Sequence, residues 1–253
     1  MSFPIGLAWG LLFVVGLVAG ALNVVAGGGS LLTLPVLIFL GVPATIANGT
    51  NRVAILMQNL AATEAFRRHR VLDPRALVWA AAPATVGAGL GTWLALRLGD
   101  SSFQKVLAWV MIAVSLWTLL GRRQMERWRS RAGERRTSLA VLGAGFFVVG
   151  IYGGFVQAGV GFLILAATSL AGLDLVRGNA VKVLSVLCFT VLSLALFAWQ
   201  GKVVWGLGLA LGIGNALGGV LGVRLTVLKG ERWIERVVTL AVIVFAIRLW
   251  MTA

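Results

Sequence analysis

The sequence predicts an all-α integral membrane protein that contains two repeats of four to five transmembrane segments. Of its 253 residues, 59% are hydrophobic and 12% are charged, whereas a soluble domain carries roughly 25% charged residues. The mean hydropathy is +0.96, and so much apolar surface exceeds what one water-soluble core can bury, so lipid must cover part of it. The apolar residues also form long runs, and their order in the first half recurs in the second.

The apolar runs have two lengths, and about 20 residues are needed to cross the hydrocarbon core as a helix. The runs of the first half are Pro4–Ala26, Ser30–Leu40, Ala44–Phe66, Pro74–Leu98 and Phe103–Leu120. The runs of the second half are Ser138–Ala158, Gly161–Ala171, Leu175–Trp199, Val203–Leu228 and Trp233–Met251. Ser30–Leu40 and Gly161–Ala171 are too short to cross. Each is predicted to be a re-entrant half-helix or a short broken span, covered by protein or a wet cavity.

The two halves align without a gap, because Gly159 follows Gly28 by 131 residues and other matches keep this spacing. The matched pairs are Gly28 and Gly159, Gly41 and Gly172, Asn48 and Asn179, Gly87 and Gly218, Gly91 and Gly222, and Gly99 and Gly230. Composition alone gives roughly two coincident glycines, so the pairs indicate a repeat. We therefore divide the chain into a first transmembrane repeat (1–121), a basic cytoplasmic linker (122–137) and a second transmembrane repeat (138–253). The glycines of the fourth and fifth pairs are expected to allow close helix packing.

Basic residues indicate how the chain lies in the membrane. The net charge is +14, and most Lys and Arg residues lie in short breaks between apolar runs, above all at 67–70 and 122–136. This pattern is typical of cytoplasmic loops and does not indicate a surface for nucleic acid.

Two topologies are compatible with the runs. If the short runs do not cross, each half has four spans and the repeat is parallel; if they complete a crossing, each half has five and the repeat is inverted. The inverted arrangement places Lys229, Arg232 and Arg236 inside, as the positive-inside rule prefers. We favour the inverted arrangement, which puts both termini outside.

Glycine-rich breaks at matching places predict a backbone that can hold an anion. The breaks are Gly27, Gly28, Gly29 and Ser30 in the first half, and Gly159 and Gly161 in the second. Consecutive glycines end a helix and let N–H groups point at a ligand, and the following half-helix adds the positive end of its dipole. Asn23 and Gln157 stand beside the breaks and are expected to reach the same site. The alternative is a turn that serves only close helix packing.

Two basic residues are expected deep in the membrane. Arg52 is about eight residues into its run, roughly 12 Å deep at 1.5 Å per residue, and Lys182 is at a similar depth in the corresponding run. A charge at that depth costs at least about 2.5 kcal/mol and marks a pathway or site. Neither residue has a carboxylate within a turn or two, so both are candidate ligands for an anionic substrate. The alternative is that they snorkel or bond to carbonyls of neighbouring helices.

Amide side chains accompany the two basic residues. Asn48 and Asn51 precede Arg52, and Asn179 precedes Lys182. Amide donors suit the oxygens of a small oxyanion, although bonding between helices is an alternative role.

Glu64 is the one acidic residue clearly within a long apolar run, and it is a candidate proton-coupling group. Its neighbours Arg67 and Arg68 make an ordinary ion pair the favoured interpretation. The sequence lacks paired carboxylates in the membrane, a histidine-based triad and a metal motif. We therefore expect no enzyme, no cofactor and no metal site, and an intramembrane enzyme is the least favoured alternative.

The stretch GLVAGALNVVAGGGSLLTLPVLIFLGVPATIANGTNR, followed by a basic turn and a second, degenerate copy, spans essentially the whole chain. Its glycine-rich break, later proline, Leu-Gly-Val-Pro turn and Ala-x-Gly-Thr-Asn helix start resemble the sulfite exporter TauE/SafE family. The second copy departs from this pattern, since Ala166 stands where the first has Pro35. One asymmetric site is therefore expected, and not two equivalent half-sites.

The resemblance implies a secondary transporter that exports sulfite or an organosulfonate across the bacterial inner membrane. Because no nucleotide-binding motif is present, a gradient must drive transport, with protons as a candidate coupling ion. An anion channel with the same site, import, and transport of another small organic anion are the alternatives. The expected partners are a small anion and the lipid bilayer, and a homodimer is left open.

Overall fold

The computed structural model describes residues 5–25, 27–72, 74–120 and 139–229. The basic linker, the expected run Trp233–Met251, and Arg232 and Arg236 lie outside the described residues. The regular secondary structure of the described part is helical throughout. The expected fold class, an all-α protein, is therefore confirmed for this part of the chain.

Nine α-helices follow one another along the described residues. They are α1 (Ile5–Val25), α2 (Ser30–Phe39), α3 (Ala44–Arg68), α4 (Ala82–Arg97), α5 (Asp100–Leu120), α6 (Leu139–Phe155), α7 (Val160–Leu170), α8 (Leu175–Trp199) and α9 (Trp205–Lys229). The expected run Pro74–Leu98 differs from a plain helix, because a π-helical turn at Leu77–Ala81 precedes α4. Pro83, in the first turn of α4, has no N–H to bond to the carbonyl four residues back, which favours an irregular turn there.

Three described helices are long and apolar enough to cross a membrane, namely Gly6–Val25, Leu175–Trp199 and Trp205–Thr226. Ser30–Phe39, Ala140–Phe155 and Val160–Leu170 are shorter apolar helices. Helix α3 has 25 residues but buries a series of polar side chains. Those polar side chains are Thr45, Asn48, Thr50, Asn51, Arg52, Gln58 and Asn59.

Glycines bring α4 against α6 and α9 against α1. A Cβ atom added at Gly87 or Gly91 would overlap a carbonyl oxygen of α6, and one added at Gly218 or Gly222 would meet the carbonyl oxygen of Leu17 or Ala21 in α1. The sequence-based expectation of close packing at these four glycines is confirmed.

Helices α3 and α8 run antiparallel through the centre of the helical assembly. Near the start of α3, Arg52 stacks on Phe197 at the end of α8, whereas Phe66 near the end of α3 packs with Val183 near the start of α8. Lys182 precedes Phe197 by 15 residues, or about 22 Å along the helix. Arg52 therefore contacts α8 about four turns beyond Lys182.

Candidate functional site

The two glycine breaks contact each other in the interior. Gly27 (φ 89°) follows α1 and Gly159 (φ 73°) precedes α7, and both have left-handed backbone conformations that favour glycine. A Cβ atom on Gly161 would overlap the Cα atom of Gly27, so the backbones cross without side chains between them. Four helix ends therefore meet here: the C-termini of α1 and α6, and the N-termini of α2 and α7.

Lys182 covers the C-terminus of α1. Its Nζ donates to the carbonyl oxygens of Asn23 at 2.9 Å and Val24 at 2.6 Å, and to Oδ1 of Asn179 at 2.6 Å. The side chain is 3% exposed. A cation near these carbonyls offsets the negative end of the helix and pairs acceptors that have no partner within it.

Arg52 covers the C-terminus of α6 in the corresponding way. Its Nη2 donates to the carbonyl oxygens of Gly153 at 3.2 Å and Gly154 at 2.5 Å, and its Nη1 donates to Oε1 of Gln157 at 3.5 Å. The guanidinium carbon lies 4.9 Å from the centroid of the Phe197 ring. The whole side chain is buried.

The environment of both cations matches one of the alternatives considered from sequence, in which they bond to carbonyls of neighbouring helices. Neither side chain extends to the surface, and within the described part of the chain neither forms an ion pair with a carboxylate. Within this part of the chain, the hydrogen-bond partners of Arg52 and Lys182 are therefore all neutral oxygen atoms.

A small polar cavity lies beside the glycine crossing. Its lining residues are Asn23, Ser30, Gln58, Asn59, Gln157, Val160, Gly161, Lys182 and Val186. Only about one water molecule fits inside this cavity. The lining includes the first residue of α2 and the first two residues of α7, so the positive ends of both half-helices face the cavity.

The structure brings Ser30, Gly161 and Lys182 together, out of the residues predicted for the site. The other predicted residues do not line this cavity: Arg52, Asn48, Asn51, Asn179, Gly27, Gly28, Gly29 and Gly159. Asn51 links α3 to α2, since it accepts from Thr33 at 2.7 Å and donates to Ser30 at 3.3 Å. Asn48 donates to the carbonyl oxygen of Phe155 at 3.0 Å. Both therefore hold the broken helices in place.

Four amides also line the cavity. Asn23 and Gln157 were expected from sequence to reach the site, whereas Gln58 and Asn59 were not among the predicted site residues. Asn23 donates to Gln58 at 3.1 Å, and Gln157 donates to Thr190 at 2.8 Å. A signal was present in the sequence, because amides within apolar runs need partners and these four lie on three different runs. Sequence alone gives no means of knowing that the three runs converge.

Glu64 lies at the accessible end of α3, away from the cavity. Its carboxylate pairs with Arg67 at 2.7 Å and with Arg68 at 2.8 Å, which is the ion pair favoured from sequence. Its role as a coupling group stays a prediction. Among the described residues, no group of three or more His, Cys, Asp or Glu side chains could hold a metal ion.

Broken apolar helices around a buried polar cavity are typical of membrane transport proteins. The sequence model of the sulfite exporter TauE/SafE family matches residues 12–249. The chain therefore belongs to this family and is a membrane transporter. A Haemophilus influenzae relative named "Probable membrane transporter protein" is 30% identical over 234 residues, which cover 91% of this chain and 89% of the relative. The Escherichia coli K12 "Probable membrane transporter protein YfcA" is 30% identical over 241 residues, which cover 95% and 88%. No solved structure gives a significant match.

Proposed function

We propose that this chain is a secondary transporter that exports a small sulfur oxyanion, sulfite or an organosulfonate, across the bacterial inner membrane. One observation carries the proposal: the positive N-termini of α2 and α7 face the cavity, while Lys182 and Arg52 cover the negative C-termini of α1 and α6. Each helix terminus carries about half an elementary charge. With the negative ends covered and no carboxylate among the residues that line the cavity, the site favours an anion.

The two cations have different capacities for direct contact with an anion. An ammonium has three donors, and those of Lys182 have three protein acceptors. A guanidinium has five donors, and Nε of Arg52 is buried without a hydrogen-bond partner. Lys182 therefore acts on the cavity through its charge, whereas Arg52 retains a donor for a substrate that reaches it through Gln157.

The arrangement of the helices supports an inverted repeat with alternating access. Helices α3 and α8 each have 25 residues, and both ends of α8 follow those of α3 by 131 positions. The first helix of each half packs on the fourth described helix of the other half, as α1 on α9 and α6 on α4. A cavity with room for about one water molecule must widen before it admits sulfite, so movement of one half against the other belongs to the proposal.

The membrane potential is a sufficient driving force for export. A potential that is negative inside favours outward movement of each negative charge by about 2.3 kcal/mol per 100 mV. A proton gradient is the second candidate, and Glu64 is the group that the sequence offers for it. Its ion pair with Arg67 and Arg68 supports a structural role instead.

A thermal-shift screen of the purified protein tests for the anion site. We expect sulfite or an organosulfonate to raise the melting temperature more than sulfate or small carboxylates. Arg52→Gln and Lys182→Gln are expected to weaken anion binding at least about tenfold. Arg97→Gln, which removes an exposed guanidinium stacked on Trp93, is the matched control. Unchanged affinity in both buried variants would remove Arg52 and Lys182 from the site.

Transport in proteoliposomes distinguishes a carrier from a channel. A carrier exchanges labelled sulfite across the membrane in a saturable manner, whereas a channel gives an ohmic current. Imposing a potential of either sign tests direction, because export predicts faster loss of label when the interior is negative. Saturable uptake against that potential would favour an importer.

A further inference from the structure

The Lys182 ammonium lies in a cage of neutral oxygen atoms. The cage consists of the carbonyl oxygens of Asn23 and Val24 and Oδ1 of Asn179, at 2.6 to 2.9 Å from Nζ. We propose that these three oxygens are a monovalent-cation site of potassium size, which the chain fills with its own tethered ammonium.

The chemistry of the cage determines which ion it suits. All three ligands are uncharged, and hard divalent ions such as Ca²⁺ and Mg²⁺ are normally bound through carboxylates. Backbone carbonyls replace the hydration shell of potassium in selective channels, and ammonium and potassium have similar radii. Lithium is too small to contact three oxygens spaced around an ammonium, and choline is too large to enter.

The site has a consequence for transport, which rests on the proposed function. The tethered ammonium supplies, at the end of α1, the positive charge that a dissolved cation would otherwise bring to the cavity wall. Transport by the natural chain is therefore independent of alkali cations. Removal of the Lys182 side chain makes it depend on potassium.

Lys182→Ala, purified in parallel in potassium, methylammonium, lithium and choline chloride at equal ionic strength, tests the site without any anion substrate. We expect potassium and methylammonium to raise the melting temperature of the variant by several degrees above the value in choline, and lithium to have no such effect. The natural chain should show no difference among the four salts. Lys105→Ala, which removes an exposed lysine from α5, should behave like the natural chain.

A second variant tests whether the affinity for potassium rises when a ligand of the cage carries a negative charge. In Lys182→Ala/Asn179→Asp a carboxylate oxygen replaces one amide oxygen of the cage, and we expect its apparent affinity for potassium to rise at least tenfold. Equal melting temperatures of Lys182→Ala in all four salts overturn the inference. Failure to recover folded variant in any of them overturns it as well, because potassium is expected to replace the missing charge.

The anion measurements separate this inference from the proposed function. If the natural chain binds neither sulfite nor an organosulfonate but Lys182→Ala is stabilised by potassium, the cation site stands and the proposed function fails. If the natural chain binds sulfite but potassium leaves the variant unchanged, the proposed function stands and the cation site fails.

Discussion

Gln157 is the residue that joins Arg52 to the cavity. Its Oε1 accepts from Arg52 at 3.5 Å, its Nε2 donates to Thr190 at 2.8 Å, and the side chain lines the cavity while only 2% exposed. A neutral amide at this place leaves the guanidinium charge uncompensated. The anion site proposed above therefore depends on the neutrality of Gln157 as much as on the charge of Arg52.

Replacement of Gln157 by Glu tests this dependence with almost no change in shape. The new carboxylate would lie next to Arg52 and cancel its charge, so we expect sulfite affinity to fall at least tenfold while the protein stays folded. Gln157→Leu should weaken binding less, because it removes hydrogen bonds without adding negative charge. Gln200→Glu, at the exposed end of α8, is the control, and thermal shift against sulfite is the measurement. Equal affinity of Gln157→Glu and the natural chain would place the anion elsewhere.

For Arg52 and Lys182, the sequence predicted the burial of the side chains but not their hydrogen-bond partners. That Arg52 and Lys182 are buried followed from their position in apolar runs, since charge is rare there. Their partners did not follow, because Gly153 and Gly154 lie 101 and 102 residues from Arg52, and Asn23 lies 159 from Lys182. Contacts over such separations depend on how the helices pack.

At the scale of elements, α3 and α8 have equal length but begin in different ways. Asp174 caps its own helix, since its side chain accepts from the backbone N–H of Arg177 at 3.0 Å. Helix α3 instead uses Asp100 from the start of α5, whose carboxylate accepts from the backbone N–H of Thr45 at 2.8 Å and from its hydroxyl at 3.0 Å. Asp100 therefore stabilises the N-terminus of α3 and also ties α5 to it.

Loss of this cap should destabilise the protein modestly. We expect Asp100→Ala to reduce the free energy of unfolding by about 1 kcal/mol, which is typical of an N-cap, and Asp100→Asn by less, since Asn retains an acceptor. Thermal unfolding in detergent measures the difference, with Ser102→Ala on the same exposed turn as the control. An effect of Ser102→Ala as large as that of Asp100→Ala would contradict a specific cap.

The cap also has a defined pH dependence. Burial alone raises the pKa of Asp100. Hydrogen bonds from Thr45 and Ala44, together with the charge of Lys202, lower it by more, so the net pKa lies below its ordinary value. A carboxyl whose pKa is lower in the folded state stabilises the fold above its unfolded pKa of about 3.9 and loses that effect as the pH falls. The difference between the natural chain and Asp100→Asn should therefore shrink in acid.

The elements themselves followed well from sequence, because hydrophobic runs bounded by glycine or charge define helices. The expected run Leu175–Trp199 coincides with α8, and the run from Ala44 ends two residues before α3 does. The two short runs correspond to the short helices α2 and α7, with 10 and 11 residues. The π-helical turn at Leu77–Ala81 was not expected, since a run of apolar residues does not distinguish one helical hydrogen-bond pattern from another.

At the scale of the whole molecule, two helix pairs hold the halves together. In each pair a helix of one half packs on a helix of the other half: α4 on α6, and α9 on α1. Gly87 lets α4 approach the backbone of α6 at Phe147, and Gly218, 131 residues later, lets α9 approach the backbone of α1 at Leu17. Apolar side chains gain little from leaving lipid for a helix interface, so such close backbone contact supplies much of the association. If the halves are equivalent, the two interfaces should be equally sensitive to the same change.

Gly87→Leu and Gly218→Leu test that equivalence directly. A leucine at either position would overlap a backbone carbonyl oxygen, and we expect each to reduce stability by about 1–3 kcal/mol, as overpacking does. Gly10→Leu and Gly145→Leu are the controls, one on α1 and one on α6, because a Cβ atom added at either position has no atom of a neighbouring helix within 4 Å. Melting temperature and recovery of folded protein in detergent are the measurements.

Similar losses of stability for Gly87→Leu and Gly218→Leu, with both controls as stable as the natural chain, would support two structurally equivalent halves. A large loss in only one would mean that the interfaces differ in strength and that the inverted repeat does not extend to their energetics.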